Sequence, residues 1–207
     1  MEVLELKPVK NKKVYLYLIG KEDSFFYENS IYEGISKIAE IKKFRFAIID
    51  LNDSDVKKIY QRFIAEFSEK FKIPYYSVDM PENARDYLYV EIIEKKIQIK
   101  ELEVEYENLC FDLKERESFK AQNLKSWIEY LKKEVKNFEN KLEYSTRPQW
   151  IVKKVLDIVH KIEEDKFSFV YFAHEKIIAE LKQLFRNYNI KVIDIKNYKK
   201  KLKSIIN

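Results

Sequence analysis

One stretch of the chain, residues 83–144, contains neither glycine nor proline. Within it, apolar residues recur at alternating intervals of four and three, which is the spacing of a heptad repeat. The first series consists of Leu88, Ile92, Lys95, Ile99, Leu102, Tyr106, Leu109 and Leu113, in which Lys95 is the one polar interruption. The second series consists of Leu124, Ile128, Leu131, Val135, Phe138 and Leu142. This stretch therefore predicts two long helices.

The two series are separated by a short polar segment, Glu115-Arg116-Glu117-Ser118, that contains no apolar residue. Two heptad helices joined by a short polar link most simply form an antiparallel helical hairpin. The alternative is that the same series pair between chains. We therefore expect a protein partner, or a second copy of the chain, to bind through the hairpin.

Strand and helix patterns alternate on both sides of this stretch. Continuous apolar runs predict strands over residues 13–19, 44–49, 73–78, 167–173 and 190–195. Apolar residues at helical spacing predict helices over residues 31–39, 56–67, 151–162 and 177–185. The alternation predicts an α/β fold with a mostly parallel sheet of about five strands flanked by helices. We expect one α/β domain, residues 1–207, with the hairpin of residues 83–144 inserted into it.

The composition excludes several kinds of active site. The chain has 2 glycines in 207 residues, where average usage would give about 14. A glycine-rich phosphate loop, a GxGxxG fingerprint and a GxSxG elbow are therefore excluded. A single cysteine, Cys110, excludes a disulfide framework and a cysteine-based zinc site. The 2 histidines, His160 and His174, exclude a histidine-rich metal cage.

The sequence also gives expectations about the compartment. The first residues carry acids and no long apolar run, so we expect no signal peptide. No stretch approaches the roughly 18 apolar residues that cross a bilayer. We therefore expect a soluble, cytoplasmic protein that does not enter the membrane. Abundant Lys, Glu and Ile with little Gly is a compositional hint of a thermophile.

Polar residues follow the predicted strands where a parallel α/β sheet binds ligands, outside the carboxyl ends of the strands. They are Lys21, Glu22, Asp50, Asp79, His174 and Glu175. Carboxylates and an imidazole suit a divalent metal such as Mg²⁺, Mn²⁺ or Zn²⁺, and crowded carboxylates raise one another's pKa. The alternative for each residue is structural, because strand ends meet water and such side chains cap helices.

Arg147 precedes Pro148 at the start of a predicted helix, where an anion can dock. A surface salt bridge is the alternative role for this arginine.

The layout resembles the TraB/PrgY-type domain, which is related to the Tiki and ChaN-like α/β superfamily. The similar segments are Tyr17-Leu18-Ile19-Gly20-Lys21-Glu22, Ala47-Ile48-Ile49-Asp50-Leu51-Asn52, Ile73-Pro74-Tyr75-Tyr76-Ser77-Val78-Asp79, Thr146-Arg147-Pro148 and Val170-Tyr171-Phe172-Ala173-His174. That superfamily has a metal set of two histidines and an acid. This chain lacks the first histidine, where Lys21, Glu22 and Asp23 stand, and the glycine of the last motif. The resemblance therefore implies a diverged copy whose metal site is altered or lost.

Three functions follow as hypotheses. The first is a diverged TraB-like domain that binds or hydrolyses a small anionic or peptide ligand. In it Asp50 and His174 are metal ligands or an acid–base pair, and Arg147 is an anion clamp. The second is a non-catalytic protein-interaction module that works through the hairpin.

The third hypothesis, ranked last, is weak, sequence-independent nucleic-acid binding through the basic final third. Residues 147–207 carry 14 basic and 7 acidic side chains, which is a net charge of +7. Five of the lysines lie in the tail, residues 196–207.

Overall fold

The structure is a computed structural model, and it describes residues 8–21, 29–50, 57–111 and 114–195. In chain order the elements are β1 (Lys13–Lys21), α1 (Asn29–Lys42), β2 (Ala47–Ile49), α2 (Lys57–Phe71), β3 (Tyr75–Ser77), α3 (Glu82–Cys110), α4 (Phe119–Lys141), a π-helical turn (Leu142–Thr146), α5 (Arg147–Lys161), β4 (Lys166–His174), a 3₁₀ turn (Glu175–Ile177), α6 (Ile178–Asn187) and β5 (Lys191–Asp194). The predicted tail, residues 196–207, lies outside the described residues.

The strands form a parallel sheet of five strands in the order β3-β2-β4-β1-β5. This confirms the predicted α/β fold with a parallel sheet. The two central strands, β1 and β4, pair along their whole length, from Lys13 opposite Lys166 to Lys21 opposite His174. The register brings the carboxyl ends of β1, β2 and β4 to one edge of the sheet.

Both faces of the sheet are covered, as the near-continuous apolar runs predict. Alternate residues of β1 point to opposite faces, so Leu16 and Leu18 belong to one buried cluster and Tyr17 and Ile19 to another. The first cluster includes the apolar residues of α5 and α6, and the second those of α1 and α2. The charged residues at the sheet edge therefore lie beside apolar layers that exclude water.

The chain divides into two compact units, one of residues 1–79 with 147–207 and one of residues 80–146. The second unit is the helical hairpin. Its core contains five buried residues, Ile92, Ile99, Ile128, Leu131 and Val135. The heptad positions of α3 and α4 therefore pack against each other within one chain.

Ion pairs show that α3 and α4 run in opposite directions. Lys95 pairs with Glu134 at 2.6 Å, and Lys120, near the start of α4, pairs with Glu105 at 3.1 Å. Lys95, the polar interruption of the first heptad series, thus has an acidic partner across the hairpin. Its ammonium also lies 5.4 Å from the ring centre of Phe138.

The heptad pattern differs from the structure at the start of α3. Leu88 belongs to the predicted series but is exposed, and Tyr89 packs against the hairpin core instead. Leu113, the last member of the series, lies outside the described residues. In the part of the chain that the structure describes, no helix is both long and apolar enough to cross a membrane.

Candidate functional site

Asp50 directly follows β2, and it lies inside the protein. Its side chain is fully buried, and its two carboxylate oxygens accept hydrogen bonds from the backbone N–H of His174 at 3.1 and 2.9 Å. Because β2 and β4 are neighbours in the sheet, this contact joins their carboxyl ends. The structure therefore brings Asp50 and His174 together, but through the backbone of His174.

Arg147, the first residue of α5, is 1% exposed and lies between two carboxylates. Its Nε and Nη2 atoms donate to the two carboxylate oxygens of Asp79 at 2.9 and 3.0 Å. Its Nη2 atom also lies 3.9 Å from Oδ2 of Asp50. A bidentate arginine–carboxylate pair is the strong, geometrically fixed form of this interaction. The residue predicted to clamp an anionic ligand therefore binds a carboxylate of its own chain.

Tyr171 completes the cluster, and the sequence analysis missed it. Its hydroxyl donates to Oδ2 of Asp50 at 3.4 Å from a fully buried position in β4. Burial, and then the negative charge of Asp50, raise the pKa of Tyr171 well above its ordinary value, so the hydroxyl stays protonated. The one sequence signal was a hydroxyl inside the apolar run of β4, three residues before His174.

His174 ends β4 and caps the turn that follows. Its Nδ1 atom accepts a hydrogen bond from the backbone N–H of Lys176 at 3.3 Å, the arrangement of a capping residue. Glu175, the next residue, is exposed at the start of the 3₁₀ turn. These contacts match the structural alternative for His174, the start of a helical turn.

Close packing at this edge explains one of the two glycines. A Cβ atom on Gly20 would lie 2.8 Å from Cδ1 of Ile178, well inside van der Waals contact. The backbone of Lys21 pairs with that of His174 at the end of β1. The side chain of Lys21 and all of Glu22 lie outside the described residues.

The chemistry open to this cluster, composed of Asp50, Asp79, Arg147 and Tyr171, is limited by burial. A carboxylate that binds a metal or moves a proton must reach its ligand, whereas Asp50 is sealed from solvent. Among the described residues, no group of three or more His, Cys, Asp or Glu side chains could hold a metal ion. The contacts link the segments that follow β2 and β3, the strand β4 and the start of α5. The arrangement is that of an internal tether between these elements.

A second candidate lies on the hairpin unit. Most large apolar residues that the described part of the chain exposes belong to residues 80–146. On α3 and at its C-cap they form a stripe of five residues, which we call the α3 stripe: Val90, Ile93, Ile97, Val104 and the C-cap residue Phe111. Ile93, Ile97 and Val104 are 52%, 53% and 58% exposed. The α3 stripe lies outside the hairpin core.

The α3 stripe was not predicted, although the sequence contains a signal for it. Val90, Ile97, Val104 and Phe111 are spaced by seven residues, which is a second heptad repeat on the helix that carries the first. The longer heptad series on the same helix already accounted for its packing on α4. A helix that packs on one partner needs only one apolar face, so this second series was not interpreted.

Comparison with protein-family models, with curated proteins and with solved structures found no significant match to this chain. The TraB-like relationship therefore stays a prediction from short sequence motifs.

Proposed function

We propose that this protein is a non-catalytic interaction module and that the α3 stripe is its binding surface. The observation that carries the proposal is the exposure of apolar side chains at heptad spacing, such as Ile93 and Ile97, on a helix whose other face is already packed. Exposed contiguous apolar surface with polar surroundings is typical of protein-binding surfaces. Heptad spacing makes an α-helix the natural partner, since knobs-into-holes packing requires the same period on both sides.

The occupant that we propose is α3 of a second copy of the chain. The α3 stripe spans about 32 Å, at about 1.5 Å per residue, and it carries the matching repeat itself. Lys100 and Glu107 occupy the remaining heptad positions of the stripe and have opposite charges. In an antiparallel pair centred near residue 102, Ile93 faces Phe111 of the second copy. Lys100 then stands one helical turn from Glu107 of the second copy, so the stripe is complementary to itself.

Sedimentation velocity over a concentration series tests this proposal. We expect the wild-type chain to form a dimer and the double variant Ile93→Gln/Ile97→Gln to remain a monomer. Ile41→Gln is the matched control, because Ile41 is 49% exposed but lies on α1, outside the hairpin. A monomeric wild type, or a dimer that Ile41→Gln disrupts as strongly as the double variant, would overturn the proposal.

A second candidate function is the one that the TraB resemblance implies, binding or hydrolysis of a small anionic or peptide ligand at the carboxyl edge of the sheet. The favouring observation is that two carboxylates, those of Asp50 and Asp79, meet at the guanidinium of Arg147 beside the carboxyl ends of the strands.

Calorimetric titration with Mn²⁺ tests the second candidate. If the cluster holds a metal, the wild-type chain binds one ion and Asp79→Asn weakens that binding. Glu129→Gln, on the exposed face of α4, is the control and should bind as the wild type does. A wild-type chain that takes up no Mn²⁺ would remove a metal site from the candidates.

A further inference from the structure

The opposite, amino edge of the sheet contains a cavity of about 650 Å³. The connections before β2, β3 and β4 and the first residues of β1 and β4 form its walls. Its volume lies within the range of about 300–1,000 Å³ of small-molecule sites. All of its lining residues belong to the unit of residues 1–79 with 147–207.

The cavity is strongly basic. Five cationic side chains line it, Lys42, Lys43, Arg45, Lys72 and Lys166, against the single carboxylate of Glu164. Glu164 pairs with Arg45 at 3.0 Å. Among the described residues, no carboxylate lies within ion-pair distance of the four lysines. Four ammonium groups around one concavity raise the local concentration of anions.

Two of these lysines hold an unfavourable backbone conformation. Lys43 and Lys72 have φ values of 47° and 51°, in the left-handed region that side chains other than glycine rarely adopt. Each follows the last turn of a helix, where glycine is the residue that adopts this conformation without steric cost. Glycine at either position would relieve this backbone strain.

Hydrogen bonds fix the connections that carry the lysines. The backbone N–H of Arg45 donates to the carbonyl of Ser168 at 2.8 Å, and the Ser168 hydroxyl donates to the carbonyl of Lys42 at 3.1 Å. The Ser68 hydroxyl donates to the carbonyl of Ile73, next to Lys72. The charged groups therefore extend from anchored backbone, which lowers the cost of ordering them around a ligand.

Aromatic rings form another part of the wall. Tyr15 and Tyr17 are two residues apart on β1 and so lie on the same face of the sheet. Tyr17 is buried against Phe44, with ring centres 5.1 Å apart, whereas Tyr15 is half-buried. Tyr15 is the less buried of the two rings, and the ammonium of Lys191 lies 5.6 Å from its ring centre.

We infer that this cavity binds a nucleotide, with the phosphates among Lys42, Lys43, Lys72 and Lys166 and the base against Tyr15. A free nucleoside phosphate and the end of a single nucleic-acid strand both present a phosphate next to an aromatic base. Either of them can therefore supply the ligand group that this cavity binds. The site is independent of the α3 stripe and of the carboxyl-edge cluster.

Calorimetric titration of the full chain tests the inference with ADP, inorganic pyrophosphate and a short oligothymidylate. We expect ADP to bind more tightly than pyrophosphate by about tenfold, as one stacked base contributes. Tighter binding of the oligonucleotide than of ADP also supports the site and assigns its source as a strand end. Absence of binding by all three probes, or equal binding of ADP and pyrophosphate, overturns the inference.

Variants then locate the site. Lys43→Gly/Lys72→Gly should weaken ADP binding at least about tenfold, for two lost charge contacts, without lowering the melting temperature, because glycine relieves the backbone at both positions. Tyr15→Leu should weaken binding of ADP but not of pyrophosphate. Lys37→Ala, an exposed lysine of α1 outside the cavity, is the control. ADP binding that is unchanged in the double glycine variant places the ligand elsewhere and refutes the site.

Discussion

The sheet unit buries some charged side chains and most of its large apolar ones, whereas the hairpin unit exposes side chains of both kinds. In the sheet unit, Arg147 and Asp50 are buried and most large apolar residues are hidden. In the hairpin, the ion pairs lie at or near the surface, and apolar residues such as Ile97 and Val104 face solvent. A buried charge constrains the fold because losing its partner is costly, whereas an exposed apolar residue adds little to folding and is available for binding. The difference fits internal tethering in the first unit and is the basis for the partner contact that we propose for the second.

The largest effect should come from the buried arginine. Arg147→Met leaves Asp50 and Asp79 without their cation, and we expect a loss of about 3–5 kcal/mol in the free energy of unfolding. Urea denaturation measures it. The matched control is Arg45→Met, which removes a half-exposed pair with Glu164 and should cost at most about 1 kcal/mol. Equal losses in the two variants would mean that the buried cluster does not tether the sheet unit.

Substitutions on the two faces of the hairpin should differ by a similar amount in their effect on the free energy of unfolding. Leu131→Ala empties a buried position of the hairpin core and should cost about 2–5 kcal/mol. Ile97→Ala, on the α3 stripe, should stay within about 0.5 kcal/mol at concentrations where the chain is monomeric. Urea denaturation of both variants at the same dilution makes the comparison. A loss at Ile97 as large as that at Leu131 would show that the α3 stripe is part of the folded core.

Gly20 offers a sharper test of packing at the carboxyl edge. Gly20→Ala places a Cβ atom 2.8 Å from Cδ1 of Ile178 and should cost about 1–3 kcal/mol. Ile178→Val removes that Cδ1 atom, so we expect Gly20→Ala to cost less in the Ile178→Val background than in the wild type. Thermal unfolding of the four chains gives the coupling energy. Additive effects would indicate that the two residues do not touch.

The smallest effect should come from the ion pair between the hairpin helices. A hydrogen bond from Lys95, then one from Tyr130, lowers the pKa of Glu134, and the hydrogen bond to Glu134 raises the pKa of Lys95. The carboxylate therefore contributes stability above the unfolded glutamate pKa of about 4.3, and this is lost as pH falls through the lower folded value. The lysine contribution is present below the unfolded lysine pKa of about 10.4 and is lost as pH rises through the higher folded value.

We therefore expect Glu134→Gln to melt slightly below the wild type at pH 7, and we expect this difference to shrink as the pH falls through the lowered pKa of Glu134. Glu129→Gln, an exposed change on the same helix, should show no such pH dependence. A difference between Glu134→Gln and the wild type that persists unchanged at low pH would exclude the ion pair as its cause.

Periodicity predicted the fold because the relevant information is local. The apolar run of β1 predicts a buried strand, and heptad residues of α3 such as Ile92 and Ile99 predict a packed helix face. Both patterns can be recognised within a short segment of the sequence. The contacts of Asp50 could not be predicted in this way. Its partners Tyr171 and His174 are 121 and 124 residues away, and whether a carboxylate at a strand end meets water or a buried partner depends on them.

The cavity at the amino edge of the sheet could not be predicted from the sequence, for a related reason. Its lysines come from separate connections, and no single segment of the sequence shows that Lys43, Lys72 and Lys166 surround one space. The α3 stripe was visible as a spacing of seven residues. Its exposure, however, depends on α4 covering the other face of α3.

Charge reversal at Lys100 and Glu107, followed by sedimentation equilibrium, tests the central claim most directly. If the α3 stripe binds a second copy in antiparallel orientation, Lys100→Glu and Glu107→Lys each weaken the dimer, because each places like charges one turn apart across the interface. The double variant Lys100→Glu/Glu107→Lys restores the attraction, and we expect it to dimerise as the wild type does. A double variant that is as monomeric as the two single variants, or four chains with the same dimer affinity, would contradict the account.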